Sequence, residues 1–157
     1  MAKKRTHPLI EGLFSLDGRM RRSEYWIISI CLGVLKLPLG FLANVLGEDG
    51  AVIARGLIDL LFFWPGVALM VKRGHDRNRP ALFTVGVLVA IFILAMAAGF
   101  FTAGAADIAA SVGLGVMFLY VLVEYGCLDG TQGPNRYGRS PKGIGGDPDN
   151  KLADVFA

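Results

Sequence analysis

The sequence predicts an all-α membrane protein, with four transmembrane helices in an up-down bundle and the N and C termini both cytoplasmic. Three observations carry that reading. Of 157 residues, 54% are hydrophobic and only 18% charged, a composition typical of bilayer proteins rather than soluble ones. Four apolar stretches, 25–46, 52–71, 81–101 and 108–128, each approach the ~20 residues that carry a helix across ~30 Å of hydrocarbon. The Lys and Arg residues fall on alternate connections, which sets the same orientation at every crossing.

The first segment, 1–24, is basic and is expected in the cytoplasm, with Lys3, Lys4, Arg5, Arg19, Arg21 and Arg22 ahead of the first span. About twenty mostly polar residues precede that span and no small-residue cleavage site follows it, so no cleaved signal peptide is expected. Tyr25 and Trp26 stand where aromatic side chains anchor at headgroup level. The connection at 47–50 has no Lys or Arg, nor does 102–107, whereas Lys72, Arg73, Arg77 and Arg79 lie between the second and third spans. Arg136, Arg139 and Lys142 follow the last span, in a cytoplasmic tail, 129–157. Beyond Ser140 the tail is rich in Gly, Pro, Asp and Asn and is expected to be solvated and mobile, with 152–156 as a candidate helical turn.

Inside lipid the backbone must satisfy its own hydrogen bonds, so continuous apolar runs of this length are helices, not strands. Ala95, Gly99, Ala103, Ala109 and Gly113 suit close helix contacts but equally suit lipid-facing filler. Cys31 and Cys127 lie in apolar segments without metal-ligand spacing and read as free thiols.

Four ionisable residues interrupt the spans: Lys36, Arg55, Asp59 and Glu124. A charge near the bilayer centre costs at least ~2.5 kcal/mol unless it is paired or hydrated. At ~1.5 Å per residue, Lys36 lies about 16 Å deep on the first span and Asp59 about 18 Å deep on the second. Depth therefore pairs Lys36 with Asp59 across two antiparallel helices. Arg55, four residues before Asp59, can share that carboxylate or extend to the outer interface. Glu124, about one turn from the inner boundary, can reach water or accept from a cytoplasmic Arg. The set reads either as a structural lock or as an ion path.

Three polar motifs flank the spans on the cytoplasmic side. They are Gly18-Arg19-Met20-Arg21-Arg22-Ser23-Glu24-Tyr25-Trp26, Lys72-Arg73-Gly74-His75-Asp76, and Gly133-Pro134-Asn135-Arg136-Tyr137-Gly138-Arg139-Ser140-Pro141. In this order between apolar spans, over roughly 12–141, they resemble domain of unknown function 805, the YhaH-like family of bacterial inner-membrane proteins. The chain departs from that pattern in the register of the second Arg of the first motif, in Lys72 and Gly74 of the second, and in lacking aromatics after Asp76. The resemblance implies a multi-pass protein of the bacterial inner (cytoplasmic) membrane and brings no activity with it.

A ring of Arg19, Arg22, Arg73, Arg77 and Arg136 around His75, Asp76 and Asn135 suits an anionic lipid headgroup or a phosphorylated ligand. The competing reading makes Asp76 the counter-ion of Arg19 or Arg73, Asn135 a loop cap and the other arginines topology determinants. No catalytic residues are assigned. His75 and Asp76 are adjacent on a predicted loop, His7 is the only other histidine, and a metal site needs three or four ligands. No cofactor, metal or nucleic-acid partner is expected; the expected partners are the bilayer, with its anionic lipids, and a second copy or another membrane protein. The functional expectation is a non-enzymatic accessory or assembly component. The alternative is a small oligomeric transporter or channel using Lys36, Arg55 and Asp59.

Overall fold

The computed structural model describes residues 13–100 and 103–143, so Lys3, Lys4, Arg5, His7 and the 152–156 turn lie outside the described residues. The described residues are helical throughout the apolar regions and contain no strand, apart from one isolated bridge between Asn135 and Gly138. Helix α1 is Arg22–Ala43, followed by a 3-10 turn, Asn44–Leu46. Helix α2 is Gly47–Asp76, α3 is Ala81–Phe100, and α4 is Ala105–Val121, continued by a π-helical turn, Leu122–Cys127. Three helical stretches are long and apolar enough to cross a membrane: Arg22–Asp76, Ala81–Phe100 and Ala105–Cys127. The first, of 55 residues, folds back on itself at the 3-10 turn, where Gly47 takes a φ of 77° that a side chain would resist.

The fold-back is visible in its cross-links. Lys36 meets Asp59, and Asn44 accepts from Arg55, so α1 and α2 run antiparallel. Helices α3 and α4 form a second antiparallel pair, with Thr84 bonded to Tyr125 near one end and Leu94 against Gly113 further along. An added Cβ at Gly113 would come within 3.2 Å of Leu94, so the two helices pack closely there. Pro38 and Pro65 sit inside α1 and α2; each removes one N–H, which membrane helices tolerate where neighbours re-satisfy the backbone.

Helix boundaries differ from the apolar runs in one direction that matters. The second run, 52–71, marks the oily part of a helix that continues to Asp76, so His75 and Asp76 lie on a helical turn, not on a loop. The physical reason is that residues 71–76 are all buried; tertiary contacts hold the polar turn helical beyond the hydrophobic signal. The first helix likewise starts at Arg22, and the backbone N–H of Arg21 donates to Glu24 Oε2 at 3.0 Å, so the Glu24 carboxylate satisfies an N–H left open at the helix start.

Burial is concentrated at the end where Arg22, Asp76, Ala81 and Cys127 lie. Ala68, Leu69, Val71, Arg73, Thr84 and Tyr125 are nearly inaccessible there, whereas most of the apolar surface of all four helices faces outward. That inversion fits lipid as the surrounding solvent, because hydrocarbon removes the penalty on exposed Leu, Ile and Phe.

Candidate functional site: a buried polar knot

The three motifs meet at the densely packed end. Asp76 is their hub: Oδ1 accepts from Arg19 Nε at 3.0 Å, and Oδ2 accepts from Arg73 Nη1 at 2.5 Å. Both side chains of each pair are almost wholly buried. Two guanidinium groups on one carboxylate leave an excess positive charge, and neutral carbonyls absorb it. Arg19 donates to the carbonyls of Gly133 at 2.7 Å and Thr131 at 2.7 Å, and to Thr131 Oγ1 at 3.2 Å. Arg73, 0% exposed, donates to the carbonyls of Tyr125, Met20 and Leu128.

Those carbonyls belong to a helix end. The last carbonyls of a helix lack intrahelical partners and carry its negative pole, so cations are favoured there. The π-helical turn that finishes α4 presents four in a row, and each finds a donor on another element. Arg73 takes Tyr125 and Leu128, Trp26 Nε1 takes Gly126 at 2.9 Å, and Arg22 takes Cys127 at 2.8 Å. The end of α2 is capped by the chain after α4. Thr131 donates through N–H and Oγ1 to the Asp76 carbonyl, and Asn135 Nδ2 donates to the His75 carbonyl at 2.9 Å. Asn78 supplies the left-handed residue that closes the helix, at φ 60°, and its carbonyl accepts from Arg136.

Three glycines are required by this packing. A Cβ on Gly130 would sit 1.8 Å from Asp76 Oδ2, one on Gly74 would sit 2.8 Å from Thr84 Oγ1, and one on Gly126 would sit 2.7 Å from the Trp26 ring. His75 stacks on Tyr137 at 3.8 Å between centroids, and its Nδ1 lies 3.2 Å from the Gly18 carbonyl. A carbonyl only accepts, so Nδ1 carries the proton. Glu124 is buried and accepts from Arg77 Nε at 3.0 Å, with Arg79 Nε at 3.5 Å. Asp129 is exposed beside Lys142, at 3.1 Å, and Arg22, at 3.8 Å; the Lys142 ammonium, and after it Arg22, holds its carboxyl below the usual carboxylate range.

The knot thus assembles Arg19, Arg22, Arg73, His75, Asp76, Arg77, Asn135 and Arg136. Lys36, Asp59 and Arg55 lie apart from it, along the α1–α2 pair: Lys36 Nζ is 2.6 Å from Asp59 Oδ1, and Arg55 bonds to Asn44. Reading the sequence missed Trp26, Thr84, Tyr125, Gly130 and Thr131 as members of the knot. The run Gly126-Cys127-Leu128-Asp129-Gly130-Thr131 gives the only local signal, an abrupt change from apolar helix to turn residues. Among the described residues no group of three His, Cys, Asp or Glu side chains is placed to hold a metal.

The family described as protein of unknown function (DUF805) matches residues 13–139, which contain the whole knot up to Arg139. The chain belongs to this family. The DUF805 match begins before the first motif and ends within the third, so the matched range takes in the helices together with the polar end that fastens them. The chain is 29% identical to the uncharacterized protein YiiR of Escherichia coli (strain K12), over 92% of this chain and 97% of that one. It is 27% identical to the inner membrane protein YhaH of the same strain, over 85% of this chain and 93% of YhaH. It is 25% identical to the inner membrane protein YhaI, over 85% and 92%. No solved structure matches the chain.

Proposed function

We propose that this DUF805 chain is a four-crossing protein of the bacterial inner membrane, with both ends in the cytoplasm, serving as a non-enzymatic accessory or assembly component. One observation carries the reading: the most buried charges of the knot are saturated by the chain itself. Both oxygens of Asp76 and the Nε, Nη1 and Nη2 atoms of Arg19 and Arg73 are engaged internally. A catalytic constellation keeps a reacting group open to substrate, whereas a saturated network fixes helices. Truncating one member of a buried ion pair costs about 3–5 kcal/mol, which makes such a network an effective lock.

The four crossings are supported by the antiparallel folding of α1 on α2, the absence of Lys and Arg at 47–50, and the basic residues gathered at the knot. The inner-membrane location draws on the names of YhaH and YhaI. An anionic lipid headgroup or phosphorylated ligand would meet only the rim of the knot, where Arg22 is half-exposed and Arg136 lies over the Tyr137 ring. The transporter reading rests on a different observation: the side chains of Lys36 and Asp59 are 46% and 63% exposed, so an oligomer could enclose them along a hydrated path.

Labelling with a membrane-impermeant maleimide tests the topology, in a chain with Cys31 and Cys127 changed to Ser. Glu48→Cys should react in intact spheroplasts and Lys142→Cys only after lysis; reaction of Lys142→Cys in intact spheroplasts would overturn it. For the component role, the tagged chain extracted with its lipids should elute in an assembly larger than itself. A lone, monomeric chain would sink that role.

A further inference from the structure

The face of the α1–α2 pair opposite in character to the knot is a cleft with charge at one end and an oily trough at the other. Its charged part, about 430 Å3, is lined by Lys36, Asn44, Arg55 and Asp59 together with Gly33 and Gly40. Its apolar part, about 350 Å3, shares Gly33 and Lys36 and continues past Leu32, Phe62 and Met70. The two parts are therefore one trough along the same pair of helices. Glycine opens it: a Cβ at Gly33 or Gly40 would meet nothing within 4 Å.

The charges in the cleft do not balance. Asp59 is taken by Lys36 at 2.6 Å. Arg55 bonds to the neutral side chain of Asn44, and among the described residues no carboxylate lies within ion-pairing distance of it. A guanidinium at a lipid-facing position, about 12 Å along α2 from Gly47 at ~1.5 Å per residue, needs either water or a counter-anion. Its planar fork matches the oxygens of a phosphate. A second copy is a poor occupant, since a two-fold contact through this face would set Arg55 against its own image.

We propose that this cleft is a binding site for one anionic phospholipid, its phosphate held by Arg55 and Asn44 with Lys36 alongside, and one acyl chain lying in the trough past Gly33 and Leu32. The head sits at the Asn44–Gly47 end and the tail points towards the knot. Asp59 stays neutralised by Lys36 and leaves the Arg55 charge for the lipid. The four-crossing reading enters only in naming the leaflet, the outer one; occupancy of the cleft is independent of it.

Native mass spectrometry of the full chain, exchanged into detergent with dioleoyl phosphatidylglycerol or dioleoyl phosphatidylcholine, tests the site. The parent should retain one phosphatidylglycerol, preferred about tenfold over phosphatidylcholine, which is about 1.4 kcal/mol. Arg55→Met should abolish the preference, and Arg22→Gln with Arg136→Gln at the knot rim should keep it. Gly40→Leu fills the cleft without touching a charge and should lose the lipid while keeping the parent's helicity, so a folding failure of Arg55→Met does not decide the matter. Equal retention of the two lipids by the parent would overturn the proposal. So would retention unchanged in Gly40→Leu, loss only with the rim variants, or a dimer in place of the lipid adduct. Maleimide labelling that inverted the topology would move the lipid to the inner leaflet and leave these outcomes standing.

Discussion

Two charged regions of this small protein solve the same electrostatic problem in opposite ways. In the knot, two buried arginines share one carboxylate, and the surplus charge is spread over backbone carbonyls at the end of α4 and in the turn that follows it. In the α1–α2 cleft, two cations face one carboxylate, but the surplus charge meets only an amide, and Lys36 and Asp59 are half-exposed. Carbonyls at a helix end are fixed dipoles already in place, so the knot needs nothing from outside. The cleft is incomplete without its surroundings. Self-sufficiency is what a fastening requires; incompleteness is what a ligand site requires.

The largest expected effect breaks the fastening. Asp76→Leu leaves Arg19 and Arg73 buried without a counter-ion, and should cost about 3–5 kcal/mol in thermal unfolding of the detergent-solubilised protein. Asp59→Leu should cost much less, because its partner can reach solvent or lipid headgroups. Equal losses would erase the distinction between the regions. Next comes a steric test of the same hub. Gly130→Ala would drive a methyl into the Asp76 carboxylate, 1.8 Å away, and should cost about 1–3 kcal/mol as overpacking. A neutral outcome would mean the 129–140 turn is free to move off α2.

A double-mutant cycle sharpens the cleft side. Lys36→Met and Asp59→Leu should each lower the unfolding temperature, while together they recover most of the loss, a coupling of about 0.5–3 kcal/mol. Strict additivity would show that the 2.6 Å contact contributes nothing. The same pair separates lock from path, since a lock survives the double change and a flux through the bilayer does not.

How much was readable in advance follows from the range of each interaction. Apolar runs report their own environment, so 25–46 and 81–101 place helices within a few residues. Counting the helical rise brings Lys36 opposite Asp59, because a hairpin's depth is set by the chain alone. The knot's residue types were visible as three motifs, yet their wiring was not. Arg73 bonds to carbonyls at Met20, Tyr125 and Leu128, and a carbonyl leaves no mark on sequence. The same blindness made His75 and Asp76 look like loop residues: burial beneath Thr131 and Asn135 keeps them helical, and that burial arises more than fifty positions away. Gly74, Gly126 and Gly130 are signals of the same kind, glycines with no positive φ recorded whose reason is a neighbour.

The smallest effect lies at the rim, where the tail docks through charges open to water. Asp129 is fully exposed between Lys142 and Arg22. Its carboxyl is depressed below the ordinary 3.8, first by the hydrogen bond and charge of Lys142 and then by Arg22. A depressed acid binds its proton less readily folded than unfolded, so the stabilisation is complete above 3.8 and fades as pH falls through that value towards the folded-state pKa. The unfolding temperature of Lys142→Gln should therefore trail the parent slightly near neutrality and converge with it in strong acid. Added salt should shrink the gap too, because exposed pairs are screened. A gap that widened on acidification, or that ignored salt, would mean Lys142 holds the tail by something other than Asp129, and the rim would then belong with the buried part of the knot.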